Sequence, residues 1–352
     1  MNDATLDIVG WSAISPFGIG RAVFADGVRD GRATSAPIDP DRWRAPVDRA
    51  CLVPDFDVRT TLGTRGTRVM NRVTGLAVGT VGDLLRQAGG STPAEEIGLV
   101  LGTALGSAQS SIDFTRGSLT AAEPFGVESG LIPYAVMNGA AGQCAIWHDL
   151  KGPNAPLAAG RAAGLLALNY ARRLLLTGRA RTVLAGSAEE YSEARAWLAQ
   201  ANGHPVSALG EGCAMFALTT QRTAAPIATL VGIKAMCCST GDWAGVIRAC
   251  VAKVLAAGGI EPEQIWAAAP SGAAGEAGAA EHAVLADLLP NKALLAPVTE
   301  LVGEADAASG SFQLAAVLSL AESDPAAAGR FALITSVDDG GSVVAALVRL
   351  PR

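Results

Sequence analysis

Short apolar runs bounded by glycine or polar turns alternate along the chain with longer stretches in which apolar residues recur at helical spacing. Runs such as GLVLGT and TVLAG are apolar on both faces, which is typical of parallel strands covered by helices on both sides. The alternation predicts an α/β fold with a parallel sheet and crossover helices. The predicted strands are Leu6–Gly10, Ile97–Gly102, Thr182–Ala185, Cys213–Leu218, Ala228–Ile233, Trp266–Ala269, Ala293–Ala296, Ala332–Thr335 and Val343–Val348. The predicted helices are Arg68–Ala88, Ala162–Thr177, Trp243–Gly258, Ala279–Leu288 and Ala307–Ala321.

Two regions of the chain repeat one order of elements. Residues 162–218 and residues 307–348 each run from a start rich in small residues through a long helix, a strand, an acidic pair and a second strand. The acidic pairs are Glu189-Glu190 and Asp338-Asp339, and each is expected to be exposed in a turn.

The repeat indicates a duplication, with one α/β half over residues 1–225 and a second over residues 226–352. In such a duplication the two sheets pack around shared, buried helices. The helix starts at Ala162 and Ala307 are rich in glycine and alanine, so they suit close backbone packing between the halves.

The composition limits the classes of protein to which this chain can belong. Of its 352 residues 50% are hydrophobic and 17% are charged, which excludes intrinsic disorder and favours large buried surfaces, including an interface with a partner chain. The net charge of −6 argues against a nucleic-acid groove. No window approaches about 18 uninterrupted apolar residues, so no membrane-spanning helix is expected.

The cysteines and histidines indicate neither a disulfide framework nor a metal site. The six cysteines show no C-x-x-C spacing, and the three histidines form no ligand-spaced pair. The first residues include acidic side chains and no basic stretch, so no signal peptide is expected. The run Gly18-Ile19-Gly20 is too short for a dinucleotide-binding loop. We therefore expect a cytoplasmic protein with reduced thiols and neither a metal nor a cofactor.

The order of the motifs resembles that of the β-ketoacyl synthase family. The opening DIVGWSAISPFGIG resembles the family's first strand and its Ser-Pro-hydrophobic-Gly turn. The segments IGLVLGTALGS, AAGQCAIWHDLKGPN, LAGSAEE, LGEGCAMFAL, PVTELVGEADAASG and SVDDGGS then follow in the family's order, so the resemblance extends over essentially the whole chain. It implies the thiolase fold, in which two similar α/β halves form α-β-α-β-α layers.

The resemblance implies a decarboxylative condensation by a cysteine nucleophile at a helix start and two histidines, but this chain departs from the family at each of those positions. Counting from the GPN run places Arg161 at the cysteine, and a guanidinium has no nucleophilic thiol. The SGAAG run places Ser271 at the first histidine, or Pro270 if the register shifts by one residue. The GEADAASG run places Glu304 at the second histidine and Thr299 at the family's lysine.

Two of the altered positions carry opposite charges. Because the cysteine and the second histidine are in contact in active members, the resemblance predicts an ion pair between Arg161 and Glu304 in the old cavity. The alternative is that Arg161 faces solvent. No replacement active site is evident, because Ser271 has no neighbouring histidine in sequence, and Cys144 and Cys213 lie in patterns typical of packed residues.

Members of the family that lack the cysteine and histidines are known as chain length factors, the noncatalytic partners of type II polyketide ketosynthases. The resemblance therefore implies a heterodimer with an active ketosynthase, and an acyl carrier protein that carries the growing chain. Factors of the aromatic type commonly have glutamine at the cysteine position, so Arg161 indicates a divergent branch. Two alternatives remain, an acyltransferase with a rewired site that uses Ser271 and a scaffold or carrier-protein docking homologue.

The resemblance also implies that each subunit contributes to the end of its partner's acyl tunnel. The corresponding stretches are GTALGSAQSSIDFTRG and SGLIPYAVMNGAAGQ, in which the candidate residues are Ser111, Phe114, Leu131 and Tyr134. Ser107, Ser111 and Phe114 are spaced to share one helix face, although ordinary interface packing is the alternative for each. The dimer interface is expected around Thr182–Ala185 and Phe114–Met137, with the sheets continuing across it.

Overall fold

The structure, a computed structural model, describes residues 5–87, 92–123, 125–203, 208–221, 223, 225–289, 293–295 and 297–352. Its strands are β1 Leu6–Ser15, β2 Gly18–Ile19, β3 Ala36–Pro37, β4 Arg49–Cys51, β5 Ile97–Thr103, β6 Asn154–Ala158, β7 Thr182–Glu189, β8 Leu209–Gly210, β9 Gly212–Thr219, β10 Ala228–Cys237, β11 Ile265–Ala269, β12 Ala293–Leu294, β13 Phe331–Val337 and β14 Ser342–Arg349. Its helices are α1 Arg21–Arg29, α2 Val58–Leu62, α3 Arg72–Gln87, α4 Ala108–Thr120, α5 Ile132–Ala135, α6 Gly139–Trp147, α7 Ala163–Leu176, α8 Glu193–Ala201, α9 Trp243–Gly258, α10 Gly275–Leu288, α11 Thr299–Val302 and α12 Ser309–Ala321. Across these ranges no helix is both long and apolar enough to span a bilayer.

Each predicted strand and helix has a counterpart at its place in the chain, and the differences lie at the ends. Helix α9 matches its prediction because Asp242 accepts a hydrogen bond from the Gly245 N–H at 2.9 Å and Gly259 ends it in a left-handed conformation. Helix α3 begins at Arg72 rather than at residue 68, because the Asn71 side chain accepts the Thr74 N–H at 3.1 Å. Residues 88 and 296, the ends of two predicted elements, lie outside the described residues.

The main sheet is mixed, which corrects the prediction of a parallel sheet. Its strands lie in the order β12-β11-β13-β14-β10-β1-β9-β7-β5-β6, with β2 paired to β1. Strands β5, β6 and β7 run parallel, as do β11, β12 and β13, whereas the other neighbours in the path are antiparallel. Strands β13 and β14 are joined by a short turn, and such a connection allows only an antiparallel pair.

The strand order is the same from either end of the sheet. One end reads β6-β5-β7-β9-β1 and the other reads β12-β11-β13-β14-β10, so each strand of the first series has its counterpart in the second. The two series meet where Leu6–Ile8 of β1 pairs with Ala228–Leu230 of β10. This match supports the duplication inferred from the repeated elements, and the division at residues 225 and 226 stays a prediction.

The edges of the sheet differ from the interface expected from the sequence. Strand β7, which contains Thr182–Ala185, lies between β5 and β9 and so offers no free edge to another chain. Strand β6 pairs with β5 and with no other strand in the described ranges, which leaves one side of Asn154–Ala158 open. A sheet that continues into a partner would therefore use β6 rather than β7.

Helices α7 and α12 are the buried helices that occupy the interior between the strands. Every residue of α12 from Ser309 to Ser319 is buried. A Cβ atom at Gly164 would lie 2.6 Å from the backbone nitrogen of Ser311, and one at Gly310 would lie 3.3 Å from that of Leu165. The two helices thus approach backbone to backbone at their N-terminal ends, as the small-residue starts predict.

This contact gives the first testable prediction. Gly164→Ala forces a Cβ atom into the space between α7 and α12, and it should destabilise the fold by about 1–3 kcal/mol through overpacking. Thermal unfolding followed by circular dichroism measures the loss. Gly142→Ala is the matched control, because Gly142 lies in α6 and a Cβ atom added there would meet no atom within 4 Å, so that substitution should be neutral or mildly stabilising. Equal melting temperatures for the two variants would contradict the close contact.

Candidate functional site

The resemblance places four residues of this chain at catalytic positions, and two of them, Arg161 and Glu304, lie at the N-terminal ends of α7 and α12. Arg161 lies in the 3₁₀ turn Gly160–Ala162, which leads into α7, and Glu304 lies just before the turn Asp306–Ala308, which leads into α12. The Nη2 atom of Arg161 donates to Oε2 of Glu304, so the expected ion pair is present. The side chains of Arg161 and Glu304 are 13% and 22% exposed. The pair is therefore mostly buried and keeps a small exposed area.

Each member of the ion pair has a second anchor in the main chain. The Arg161 N–H donates to Oδ2 of Asp338 at 2.9 Å, and Oε1 of Glu304 accepts the Asp306 N–H at 2.8 Å. Burial opposes the positive charge of Arg161, but attraction to Glu304 and its hydrogen bond outweigh that effect and raise the pKa of Arg161. The guanidinium stays protonated, so it can neither attack a thioester nor accept a proton.

Ser271 is fully buried and is held by a carboxylate. Its Oγ donates to Oε2 of Glu281, and its N–H lies 3.0 Å from that oxygen. Burial raises the pKa of Glu281 to about 7, while the hydrogen bonds from Ser271 lower it. Because no part of Ser271 is exposed, its hydroxyl is closed to an acyl thioester in this conformation.

Pro270 and Thr299 complete the group of altered positions. Pro270 is buried beside Ser271 and has no N–H to donate, so either register leaves the first histidine position without a titratable side chain. Thr299 begins α11, and its hydroxyl packs against Gly272, which has a positive φ of 67° and no space for a Cβ. The Nη1 atom of Arg161 lies 3.5 Å from the carbonyl oxygen of Ser271, which places all four positions in one neighbourhood.

A cavity of about 380 Å³ opens beside the ion pair. Its lining combines apolar side chains with ionisable groups. The apolar lining consists of Ala104, Leu105, Ala108, Leu198, Ala199, Leu209, Ala273 and Ala274, and the polar lining of Arg161, Glu189, Arg195, Asn202, Glu304, Asp306, Asp338 and Asp339.

The acidic pair Glu189-Glu190 is buried, which corrects the expectation that it is exposed. Burial raises the pKa of Glu189 to about 8 and also raises the pKa of Glu190. Asp339, by contrast, is exposed, and Asp338 is half-buried. The pair was expected in a solvated turn because isolated carboxylates avoid the interior. The structure instead gives Glu190 partners from distant segments, while the Oε1 atom of Glu189 accepts the N–H of Glu190.

Glu190 anchors helix α4. Its Oε1 accepts the hydroxyl of Ser107 at 2.6 Å, and its Oε2 accepts the N–H of Val73 at 3.1 Å. The Ser107 hydroxyl oxygen in turn accepts the N–H of Ser110 at 3.1 Å and so caps the helix. Helix α4 buries only Ala108 among its own residues, so it is held against the body by polar contacts rather than by an apolar face.

The tunnel candidates lie on α4 and around α5, as the sequence stretches suggest. The Ser111 hydroxyl donates to the carbonyl of Ala135 at 2.9 Å and links the two helices, while Phe114 and Leu131 are half-buried. Tyr134 is buried in an apolar cluster with residues of α3 and α6, and burial raises its pKa. Ser111, Phe114 and Leu131 are thus accessible to a partner, whereas Tyr134 packs inside this chain.

Arg195, Glu281 and Asp306 are also part of the site, although the sequence gives no sign of it. Arg195 donates to the carbonyl oxygens of Glu190, Gly210 and Glu304 at 3.1, 2.7 and 2.7 Å. In the sequence it follows the helix-start signal of Ser192 and would be taken for a solvated residue of α8. Arg195 and Glu281 belong to no motif, and Asp306 lies within the GEADAASG run but is not one of its catalytic positions, so no local signal marks the three residues.

Five of the six cysteines are buried, and Cys237 is exposed. Cys144 and Cys213 are fully buried, and burial raises the pKa of Cys213 to about 12. Within the parts of the chain that the structure describes, no group of three or more His, Cys, Asp or Glu side chains is arranged to hold a metal ion.

Comparison with known families accounts for this arrangement. Residues 4–224 match the model of the β-ketoacyl synthase N-terminal domain, which is more than half of the chain. The chain belongs to the β-ketoacyl synthase family. A solved structure of the ishigamide ketosynthase/chain length factor is 43% identical, covers 99% of this chain and 100% of that chain, and superposes with a TM-score of 0.93. The thiolase fold expected from the motif order is therefore confirmed.

Two curated relatives extend the comparison. A 3-oxoacyl-[acyl-carrier-protein] synthase 2 from a Synechocystis species is 30% identical over 194 residues, or 52% of this chain and 44% of the relative. The actinorhodin polyketide putative β-ketoacyl synthase 2 of Streptomyces coelicolor is 30% identical over 200 residues, or 55% of this chain and 48% of the relative. The matched region thus spans less than half the length of each of these relatives.

The ion pair gives the second prediction. Glu304→Ala removes the partner of Arg161 and leaves a guanidinium in a mostly buried place. We expect the free energy of unfolding to fall by about 2–3 kcal/mol. This is somewhat below the value for a fully buried pair, because both side chains keep slight exposure. Urea unfolding measures it, with Glu300→Ala as the control, since Glu300 is an exposed residue of the adjacent helix α11. A Glu304→Ala variant as stable as the control would show that the pair contributes nothing.

Proposed function

We propose that this chain is a chain length factor, the noncatalytic subunit that pairs with an active ketosynthase in a type II polyketide synthase. The observation that carries the proposal is the ion pair of Arg161 with Glu304, at the two positions that the resemblance assigns to the family's nucleophile and second histidine. A condensing enzyme needs a thiolate at that helix start and donors for the thioester oxygen. Here the same space holds a permanent cation and its counter-ion.

The other altered positions support the same proposal. Ser271 is closed off by burial and committed to Glu281, so it provides no accessible hydroxyl for an acyltransferase. The likeness to the ishigamide ketosynthase/chain length factor supports a role in polyketide assembly. A partner ketosynthase would supply the catalytic residues, and a carrier protein would deliver the acyl chain.

The surface around α4, α5 and α6 supports an interface with such a partner. Leu119, Phe125 and Ile146 are 80%, 78% and 75% exposed, and exposed large apolar side chains are typical of interaction surfaces when they form a patch. Val136 and Met137, after α5, are also exposed. The open side of β6 follows α6 along the chain, so a partner could extend the sheet and cover the apolar side chains.

The proposal predicts that the isolated chain carries out no acyl transfer. Incubation with acetyl- and malonyl-carrier protein should leave its intact mass unchanged, while a ketosynthase that has the cysteine and both histidines should gain an acyl adduct. Arg161→Cys should not restore condensation, because the histidine positions still hold Ser271 and Glu304. An acyl adduct on any residue of the wild-type chain would refute the noncatalytic role and favour a rewired acyltransferase.

The proposal also predicts control of product length. In the complex with an active ketosynthase, Phe114→Ala should lengthen the products, because it removes a ring from the tunnel end, and Ser111→Phe should shorten them. Leu131→Ala should act in the direction of Phe114→Ala. Mass spectrometry of the products measures the distribution.

Leu119→Ala serves as the control for these variants, because Leu119 lies on another face of α4 and is exposed. It should change the yield of the complex without changing product length. If the variants at positions 111, 114 and 131 alter only yield, these residues are interface packing, and a scaffold or carrier-protein docking role is favoured instead.

A further inference from the structure

Another cavity, of about 450 Å³, is formed by the turn after β1, the chain from the end of α1 to β3, the segments on either side of β4 and the start of α3. Among the described residues, its lining has no member in common with that of the cavity beside the ion pair. Its volume lies within the range of sites that bind small molecules. A ligand bound here would therefore be separate from the proposed role in chain length.

Two arginines of this lining, Arg32 and Arg42, lie over aromatic rings. The Cζ atom of Arg32 is 5.4 Å from the ring centre of Phe17, and that of Arg42 is 5.3 Å from the ring centre of Trp43. Both arginines are exposed, and within the described part of the chain neither guanidinium has a carboxylate within 4.0 Å or donates a hydrogen bond. A guanidinium stacked on a ring keeps the N–H groups at its edge available and loses less freedom when it binds an acceptor. The two cations therefore offer unused donors to the cavity.

The other charged residues of the lining leave this cavity cationic. Arg72 is neutralised by Glu211, whose carboxylate accepts its Nε–H at 2.6 Å and its Nη2–H at 2.5 Å. Asp55 is the carboxylate among the described lining residues, and it is exposed. Two guanidiniums without counter-ions thus face one carboxylate, in a chain whose net charge is −6. An anion would be attracted to this part of the surface, whereas a cation would be repelled.

The rest of the lining limits the kind of anion. It is mostly apolar, with three buried and three half-buried large side chains, which are Phe17, Val53 and Phe56, and Ile38, Trp43 and Leu52. An inorganic anion would leave these side chains in contact with water, and an uncharged molecule would gain nothing from the guanidiniums. We propose that this cavity binds a small organic carboxylate, with its apolar body against these side chains and its carboxylate group paired with Arg32 and Arg42.

Isothermal titration of the full chain with sodium benzoate tests the proposal. We expect one saturable site, with an affinity that falls as sodium chloride is raised from about 50 mM to about 500 mM, because salt screens exposed charges. Arg32→Gln and Arg42→Gln should each weaken binding by about three-fold to ten-fold, because each removes a charge-assisted hydrogen bond at an exposed position. Arg173→Gln is the matched control and should bind as the wild type does, since Arg173 is also exposed and lies 5.7 Å from the ring centre of Tyr170, outside this cavity.

A variant that gains affinity makes the test independent of any loss of folding. Asp55→Asn removes the carboxylate of the lining and should tighten the binding of benzoate by about two-fold to three-fold, because a like charge is lost. Asp55 has a positive φ of 50°, a conformation that asparagine tolerates, so the loop should keep its shape.

Two further probes separate the charge from the apolar body. Benzylammonium chloride has the same ring with the opposite charge, and sodium acetate has the carboxylate without the ring, so both should bind more weakly than benzoate. The proposal is overturned if benzoate does not saturate a site, if benzylammonium binds as tightly as benzoate, or if Arg32→Gln and Arg42→Gln both bind benzoate as the Arg173→Gln control does.

Discussion

The backbone contact between the first turns of α7 and α12 is the constraint on which the rest of this structure depends. Gly164 and Gly310 allow the two helices to meet without intervening side chains, and this brings the residues just before each helix to one point. The side chains just before α7 and just before α12 therefore lie within a few ångströms of each other, and they must be compatible in size and charge. In this protein the compatible combination is a guanidinium and a carboxylate, and the surrounding hydrogen bonds adapt to it.

The polar network around the ion pair extends well beyond the altered positions. Arg195 links the carbonyls of Glu190, Gly210 and Glu304, and Glu190 connects through Ser107 to the start of α4. The interior of the site is thus joined by hydrogen bonds to the helix that carries Ser111 and Phe114. Buried networks of this kind fix geometry when every member is satisfied, because breaking one bond exposes its partner to an apolar environment.

The sequence predicts those features of the fold that depend on residues close together in the chain, and it does not predict those that depend on distant residues. The strands in the interior, such as β5 and β7, were recognised because helices on both sides require apolar residues throughout. Helix α4 has no such pattern, since polar contacts hold it, and only the resemblance to a known family marked it. The sequence predicts a parallel sheet, but the relative direction of neighbouring strands depends on which distant strands pair with each other.

Some residues of the candidate site can likewise be predicted from the sequence, and others cannot. Arg161 and Glu304 were found because each replaces a residue within a motif, and their opposite charges then predicted the contact. The burial of Glu190 could not be predicted, because its partners Ser107 and Val73 lie in segments far away in sequence. Arg195, Glu281 and Asp306 were missed for that reason too.

The ion pair has a consequence for how this protein can change by mutation. A substitution at Arg161 alone leaves the carboxylate of Glu304 without its partner, and one at Glu304 alone leaves the guanidinium of Arg161 without its partner. The effects of substitutions at the two positions are therefore expected to be strongly non-additive. Replacement of both residues by uncharged ones, one at a time, would have to pass through an intermediate with one unpaired charge, and proteins have only a small margin of stability to lose. Selection against loss of stability should therefore disfavour single substitutions at either position, so that the two residues are expected to change together or not at all.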